Sequence, residues 1–139
     1  MSHTATASVE IAATPERVWE TLTSPEAIRQ YMFGAEVSGD WTVGSTVTFR
    51  GNWNGTPYED KGRVTAADRP NRLAFDFWSA FSGQPDTPEN RQPVAYTLEP
   101  IAAGTRLTVT QGNNPTVEAA QQAEGNWQKT LEMLRTILA

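Results

Sequence analysis

The chain has no cysteine and only one histidine, His3. Without thiols there is no disulfide, no thiolate metal site and no cysteine nucleophile. A serine–histidine pair is equally out of reach when the one imidazole stands in a polar terminal stretch. Triad hydrolysis is thereby excluded, and zinc loses its usual ligands. Positive charge is scarce as well: 11 basic against 16 acidic residues leave a formal net charge of -5, the opposite of the basic stripe that a nucleic-acid partner requires. No run of about eighteen apolar residues is present, and Met1–Ser8 lacks the charge and apolar centre of a signal peptide. A cytoplasmic protein that engages neither membrane nor nucleic acid is therefore expected. A chain of 139 residues buries roughly two-thirds of its unfolded surface around one core, so one domain over residues 1–139 is predicted, with residues 1–5 flexible.

What the chain does have is periodicity. From Val117 to Leu138, the residues Val117, Ala120, Trp127, Leu131, Leu134 and Leu138 fall on one face of a helix, broadened near its end by Met133 and Ile137. A helix of this length is stabilised mainly by burying such a stripe, so the rest of the chain must supply a wide apolar surface. Glu124 interrupts the stripe. Gly125, which costs roughly 1 kcal/mol relative to alanine in a helix interior, predicts a bend or loosening within a turn of itself. The last turns are expected to be core and the first turns more open.

Earlier in the chain, Thr6–Ala12 alternates with Ala7, Val9 and Ile11 on one side, the pattern of a half-buried strand. Thr14-Pro15 and Ser24-Pro25 each pair a capping side chain with a proline suited to the first helical position. Two short helices follow, carrying Val18, Trp19 and Leu22, then Ile28, Tyr31 and Met32, with Gly34 placed to end the second. Thereafter the period is two, predicting strands near Ala35–Ser38, Ser45–Asn52, Tyr58–Ala66, Arg72–Trp78, Pro93–Leu98 and Thr105–Thr110. Asn54-Gly55 predicts a type I′ hairpin turn. Leu73, Phe75 and Phe77 share a face, as do Val94, Tyr96 and Leu98, and then Leu107 and Val109. Arg50 and Arg106 alternate outward, and Asp76 falls opposite Phe75 and Phe77. Ser79–Gln92, with two prolines and many polar residues, is expected to be the most mobile internal segment, anchored by Phe81.

No constellation of catalytic residues stands out, and none is assigned. An oxygen-ligand metal site needs converging carboxylates, whereas the adjacent Glu59-Asp60 pair points to opposite faces of a strand, so neither metal nor cofactor is expected. Glu124 either reaches a cavity, where desolvation would raise its pKa, or sits near the open end of the helix and extends to water, the reading favoured here. Tyr96 either orients a ligand with its hydroxyl or bonds to backbone within the core. The aromatics Tyr31, Trp53, Tyr58, Phe75, Phe77, Tyr96 and Trp127, with Glu124 and Leu131 on the helix, are the candidate ligand-binding residues of an apolar pocket with a few polar tips. On the residues alone, a hollow and a filled core are equally open.

The layout is α+β: a strand, two short helices, six antiparallel strands and a long helix laid across a bent sheet. In Val9-Glu10-Ile11, Ala13-Thr14-Pro15-Glu16-Arg17-Val18-Trp19 and Leu22-Thr23-Ser24-Pro25 the chain resembles the START-like superfamily, whose helix-grip fold is shared with birch-pollen allergens and polyketide cyclases. Gly62-Arg63-Val64, Pro70-Asn71-Arg72-Leu73-Ala74-Phe75 and Gly125-Asn126-Trp127-Gln128-Lys129-Thr130-Leu131-Glu132-Met133-Leu134 are similar, more narrowly, to the branch named after activators of the 90-kDa heat-shock protein ATPase. The resemblance implies a curved antiparallel sheet of about seven strands wrapped around the C-terminal helix, with a cavity between them. It brings no fixed catalytic set. The expected function is non-catalytic binding of a small apolar or amphipathic molecule in that cavity. The alternatives are a protein-interaction module partnering a chaperone ATPase, as the branch name implies, and a cyclase-like acid–base enzyme using Glu124 or Tyr96. A homodimer is left open.

Overall fold

The computed structural model describes residues 3–32 and 34–138, the side chain of Trp53 excepted. In chain order the elements are β1 (His3–Ile11), α1 (Pro15–Thr23), α2 (Pro25–Tyr31), β2 (Glu36–Ser38), β3 (Thr46–Trp53), β4 (Thr56–Asp68), β5 (Arg72–Trp78), β6 (Gln92–Ile101), β7 (Gly104–Asn114) and α3 (Val117–Leu138). The seven strands form one antiparallel sheet in the order β1-β7-β6-β5-β4-β3-β2, so the first strand closes one edge beside the last. This is the α+β helix-grip arrangement that the resemblance implied.

Local chemistry accounts for most of the boundaries. Thr14 Oγ1 accepts the Arg17 N–H at 3.3 Å and Ser24 Oγ accepts the Ala27 N–H at 3.4 Å, each ahead of a proline at the first helical position. Gly34, at φ 92, closes α2 by donating its N–H to the Arg29 carbonyl at 2.7 Å. Asn54 and Gly55 take φ 50 and 83, the paired positive values of a type I′ turn, and join β3 to β4. A register shift in β4 between Val64 and Ala66 bends that strand midway.

Alternation decides the core. Ala7, Val9 and Ile11, Val47 and Phe49, Leu73 and Phe75, Val94, Tyr96 and Leu98, and Leu107 and Val109 are buried on one face of the sheet, against Leu131, Leu134 and Leu138 of α3 and Val18, Trp19, Leu22 and Ile28 of the short helices. Arg50 and Arg106 lie on the opposite face, paired with Glu59 at 2.8 Å and Glu10 at 3.0 Å.

Two expectations are corrected. β1 takes in His3, Thr4 and Ala5 of the stretch expected to be flexible, because β7 runs on to Asn114, whose side-chain amide donates to the His3 carbonyl at 2.8 Å; Ala5 is fully buried. Met1 and Ser2 lie outside the described residues. The predicted loosening at Gly125 is absent: α3 is an uninterrupted helix, and a Cβ on Gly125 would meet nothing within 4 Å. Val117 belongs to the helix and is 50% exposed, in keeping with first turns more open than the last, with the exposed Glu118, Gln121 and Gln122 around it.

Glu124 also has a different task from either reading of it. Its carboxylate accepts the Thr6 N–H at 3.0 Å, and one turn on, Gln128 Nε2 donates to the Ser8 carbonyl at 3.3 Å. Thr6 and Ser8 belong to the edge strand, and α3 thus bonds to groups that a further strand would otherwise use.

Candidate functional site

Between α2, the inner face of the sheet and the middle of α3 the packing leaves a cleft of about 280 Å³. Five of its lining side chains are aromatic. Tyr31 comes from α2 and Met32 from the turn that follows it, Phe49 from β3, Tyr58 and Asp60 from β4, Phe77 from β5, Gln111 from β7, and Ala123, Asn126, Trp127 and Thr130 from α3. The strand residues reach one space because Phe49 stands opposite Asp60 in the β3–β4 register, and Tyr58 precedes Asp60 by one full pleat. Phe49 and Phe77 meet edge to face with ring centroids 6.1 Å apart. Gly51 faces Tyr58 across the ladder, and a Cβ there would stand 2.5 Å from the phenol oxygen, so the glycine is what lets that ring lie over β3.

Trp127 is held at both ends. Its ring meets Tyr96 edge-on at 5.8 Å, and its indole N–H donates to Gln111 Oε1 at 2.7 Å. Gln111 in turn donates to Asn114 Oδ1 at 3.2 Å, which also receives Gln92 Nε2 at 3.1 Å. Asn114 is buried and its amide is spent on the His3 and Gln111 carbonyls, both at 2.8 Å. The network fixes the tryptophan wall through the ends of β1, β6 and β7.

The connection between β5 and β6, which touches the cleft residues Asp60 and Tyr58, is tied down at more points than the single anchor expected. Ala80 donates its N–H to Asp60 Oδ1 at 2.8 Å, and Phe81 packs on Tyr58 with centroids 5.3 Å apart while remaining 54% exposed. Trp78 Nε1 donates to the Gln84 carbonyl at 3.0 Å, Arg91 forks onto Asp86, and Asn113 donates to the carbonyls of Glu89 and Arg91. These bonds satisfy backbone that a structureless loop would leave to water.

Electrostatics set one wall residue apart. Burial pushes the Asp60 carboxyl above its ordinary range, outweighing the bonds from the Ala80 N–H and the Ser79 hydroxyl that favour its charged form. Tyr58 is raised by burial and then by the neighbouring Asp60 charge. Burial, followed by the proximity of Tyr96, raises Tyr31 well above the usual phenol value; its hydroxyl donates to the Leu22 carbonyl at 2.7 Å. Tyr96 is likewise raised by burial, and its hydroxyl has no partner among the described residues. Neither reading of Tyr96 therefore holds in full, since it is a core tyrosine without the expected backbone bond.

Of the nine candidate residues, Tyr31, Tyr58, Phe77 and Trp127 line the cleft. Phe75, Tyr96 and Leu131 are buried behind the lining, where they support it. Glu124 is engaged at the β1 edge, and the side chain of Trp53 lies outside the described residues. Sequence reasoning passed over Phe49, Asp60, Gln111 and Asn126. Asp60 was separable from Glu59 by strand parity, and the structure parts them, Glu59 going to Arg50 on the outer face. Gln111 continues the inward series of Leu107 and Val109, a signal present but unused.

A curved sheet gripping a long helix, with an aromatic cleft between them, defines a START-like helix-grip protein. The chain belongs to the family described as activator of Hsp90 ATPase homolog 1-like protein, whose model matches residues 12–139. Among solved structures it is similar to the solution structure of ChR145 from Cytophaga hutchinsonii, at 38% identity and a TM-score of 0.85 over 98% of this chain and 93% of that one. It is also similar to MLL2253 from Mesorhizobium loti, at 25% identity and a TM-score of 0.78 over 98% and 96% of the two chains. The Aha1 dimer from Colwellia psychrerythraea shares the fold, at 20% identity and a TM-score of 0.75 over 98% and 96%. No curated protein matches the chain. Among the described residues, no helix is long and apolar enough to cross a membrane.

Proposed function

We propose that this protein binds a small amphipathic molecule, without transforming it, in the cleft between the sheet and α3, and does so in the cytoplasm. The observation that carries the reading is the cleft itself: a concave space lined by five aromatic side chains and a few polar groups, its volume of about 280 Å³ close to the low end of small-molecule sites, which run from about 300 to 1,000 Å³. The acid–base alternative that names Glu124 is less supported, because Glu124 does not line the cleft and its carboxylate accepts the Thr6 N–H. Tyr96, with its pKa raised, keeps its proton at neutral pH and is a poor base.

Trp127 is the natural reporter, since it lines the cleft and has one fixed hydrogen bond. Titrating an apolar probe into the parent and into Trp127→Phe is expected to give an emission change that shrinks in the variant, while affinity falls only a few-fold. The probe should also raise the melting temperature in proportion to the logarithm of its concentration over Kd. A probe that neither stabilises the fold nor alters Trp127 emission defeats the proposal.

Family membership supports a second reading, a protein-interaction module that acts on a chaperone ATPase, and the dimeric neighbour adds self-association to it. Stimulation of a purified 90-kDa chaperone's ATP hydrolysis by this chain, with no response to apolar probes, would favour that reading over the first.

A further inference from the structure

Among the described residues, Asp60 is the one carboxylate lining the cleft, and no lysine, arginine or histidine lines it with Asp60. None of the ion pairs among the described residues includes Asp60. Its neighbours are rings: Phe49 directly across the β3–β4 ladder, Tyr58 one pleat away on the same strand, and Phe77 against Phe49. Removing a carboxylate from water without a cation is costly, and the usual remedy is a partner or a proton. This one has the Ala80 N–H on Oδ1 and the Ser79 hydroxyl, dipoles rather than a counter-charge. Aromatic faces are themselves attractive to cations, most of all where water is excluded. A negative charge among aromatic side chains, open to a cleft and lacking a cation among the described residues, has the chemistry of an ammonium site.

We infer that the cleft selects amphipathic cations, an amine or quaternary ammonium head against Asp60 and the aromatic rings around it, with an apolar body reaching toward Trp127. The inference rests on the binding reading above and names the ligand class for that same site. Anionic amphiphiles, fatty acids among them, are disfavoured by the same carboxylate.

Three probes of nearly one shape and different charge test it: 2-phenylethylammonium, 2-phenylethanol and 3-phenylpropionate, titrated into the parent and into Asp60→Asn by calorimetry. The asparagine keeps an oxygen for the Ala80 N–H and removes the charge. The parent should bind the ammonium on the order of tenfold more tightly than the alcohol, and the carboxylate most weakly. In Asp60→Asn the three affinities should converge, although the overall charge of the protein changes by only one, which separates a local site from diffuse attraction to an acidic surface. Should the variant fail to fold, the side-chain carboxyl carbon resonance of Asp60 in the parent decides: it must shift with the ammonium and stay in place with the alcohol. Equal binding of ammonium and alcohol, a preference that survives in Asp60→Asn, or an unmoved Asp60 resonance overturns the inference and leaves the cleft reading intact. If no probe binds at all, the cleft reading falls and takes the inference with it.

Discussion

Asp60 illustrates how far a single position can be from its immediate sequence context. Its neighbours Glu59 and Lys61 face outward, where Glu59 pairs with Arg50, whereas Asp60 turns inward and is half buried. Because its folded pKa lies above the ordinary value of 3.8, the unfolded carboxyl gives up its proton at lower pH than the folded one. Its contribution to stability is therefore fully present below about pH 3.8 and is lost as pH rises through the folded value, which makes the ionised group a cost at neutral pH. Asp60→Asn is expected to melt at a higher temperature than the parent at pH 7, with the difference narrowing as pH falls toward 4. Thermal melts across that range check it; a variant less stable than the parent at pH 7 would show that the Ala80 bond needs a full charge. A group that costs stability at an open cleft fits a binding role.

At the scale of elements, α3 does two jobs that its apolar stripe announces only in part. Leu131, Leu134 and Leu138 bury themselves in the core, as the spacing requires. The polar residues Glu124 and Gln128 bond to the β1 edge, a task invisible to a hydrophobic pattern because Thr6 and Ser8 lie more than a hundred residues earlier. Gly125 then has no structural demand upon it: the helix is continuous and the space around its Cα is open. Gly125→Ala should stabilise the fold by about 0.5–1 kcal/mol, a rise of roughly 2–5 °C in Tm for a chain of this size. A drop in Tm would mean that close approach or flexibility at Gly125 matters after all.

For the whole molecule, the buried tyrosines make the fold sensitive to alkali. Tyr31 and Tyr96 both have pKa values raised above the usual 10.0, chiefly by burial, so the unfolded chain ionises first and the folded state is progressively disfavoured above about pH 10. Each such group removes up to about 1.4 kcal/mol per pH unit within its window. Denaturation midpoints should hold steady from pH 7 to 9 and fall steeply beyond 10. Tyr96→Phe keeps the ring that supports Trp127 and removes a buried hydroxyl without a partner. It is expected to match or exceed the parent at pH 7 and to lose stability less steeply in alkali. A variant markedly weaker at neutral pH would indicate a water bonded to that hydroxyl.

What the amino-acid order by itself determined is everything governed by near neighbours. Thr14-Pro15 and Ser24-Pro25 start helices because a side-chain oxygen and a fixed φ act within one turn, and Asn54-Gly55 turns the chain because its two residues accept positive φ. Alternation on the strands named the core face because adjacent side chains point to opposite sides, and those local rules were enough for the α+β order of elements, the helix-grip arrangement being implied by the family resemblance. Tertiary structure alone decided which inward residues border empty space. Phe75 and Phe77 follow one pattern, yet Phe75 is packed between Trp41, Phe49 and Tyr96 while Phe77 faces the cleft. Likewise Glu124 and Asp60 both stand at inward-reading positions, and only the docking of α3 sends one to the Thr6 amide and leaves the other in the aromatic wall. Periodicity gives a side chain its direction; what it meets depends on elements brought together from across the chain, by packing that no local pattern encodes.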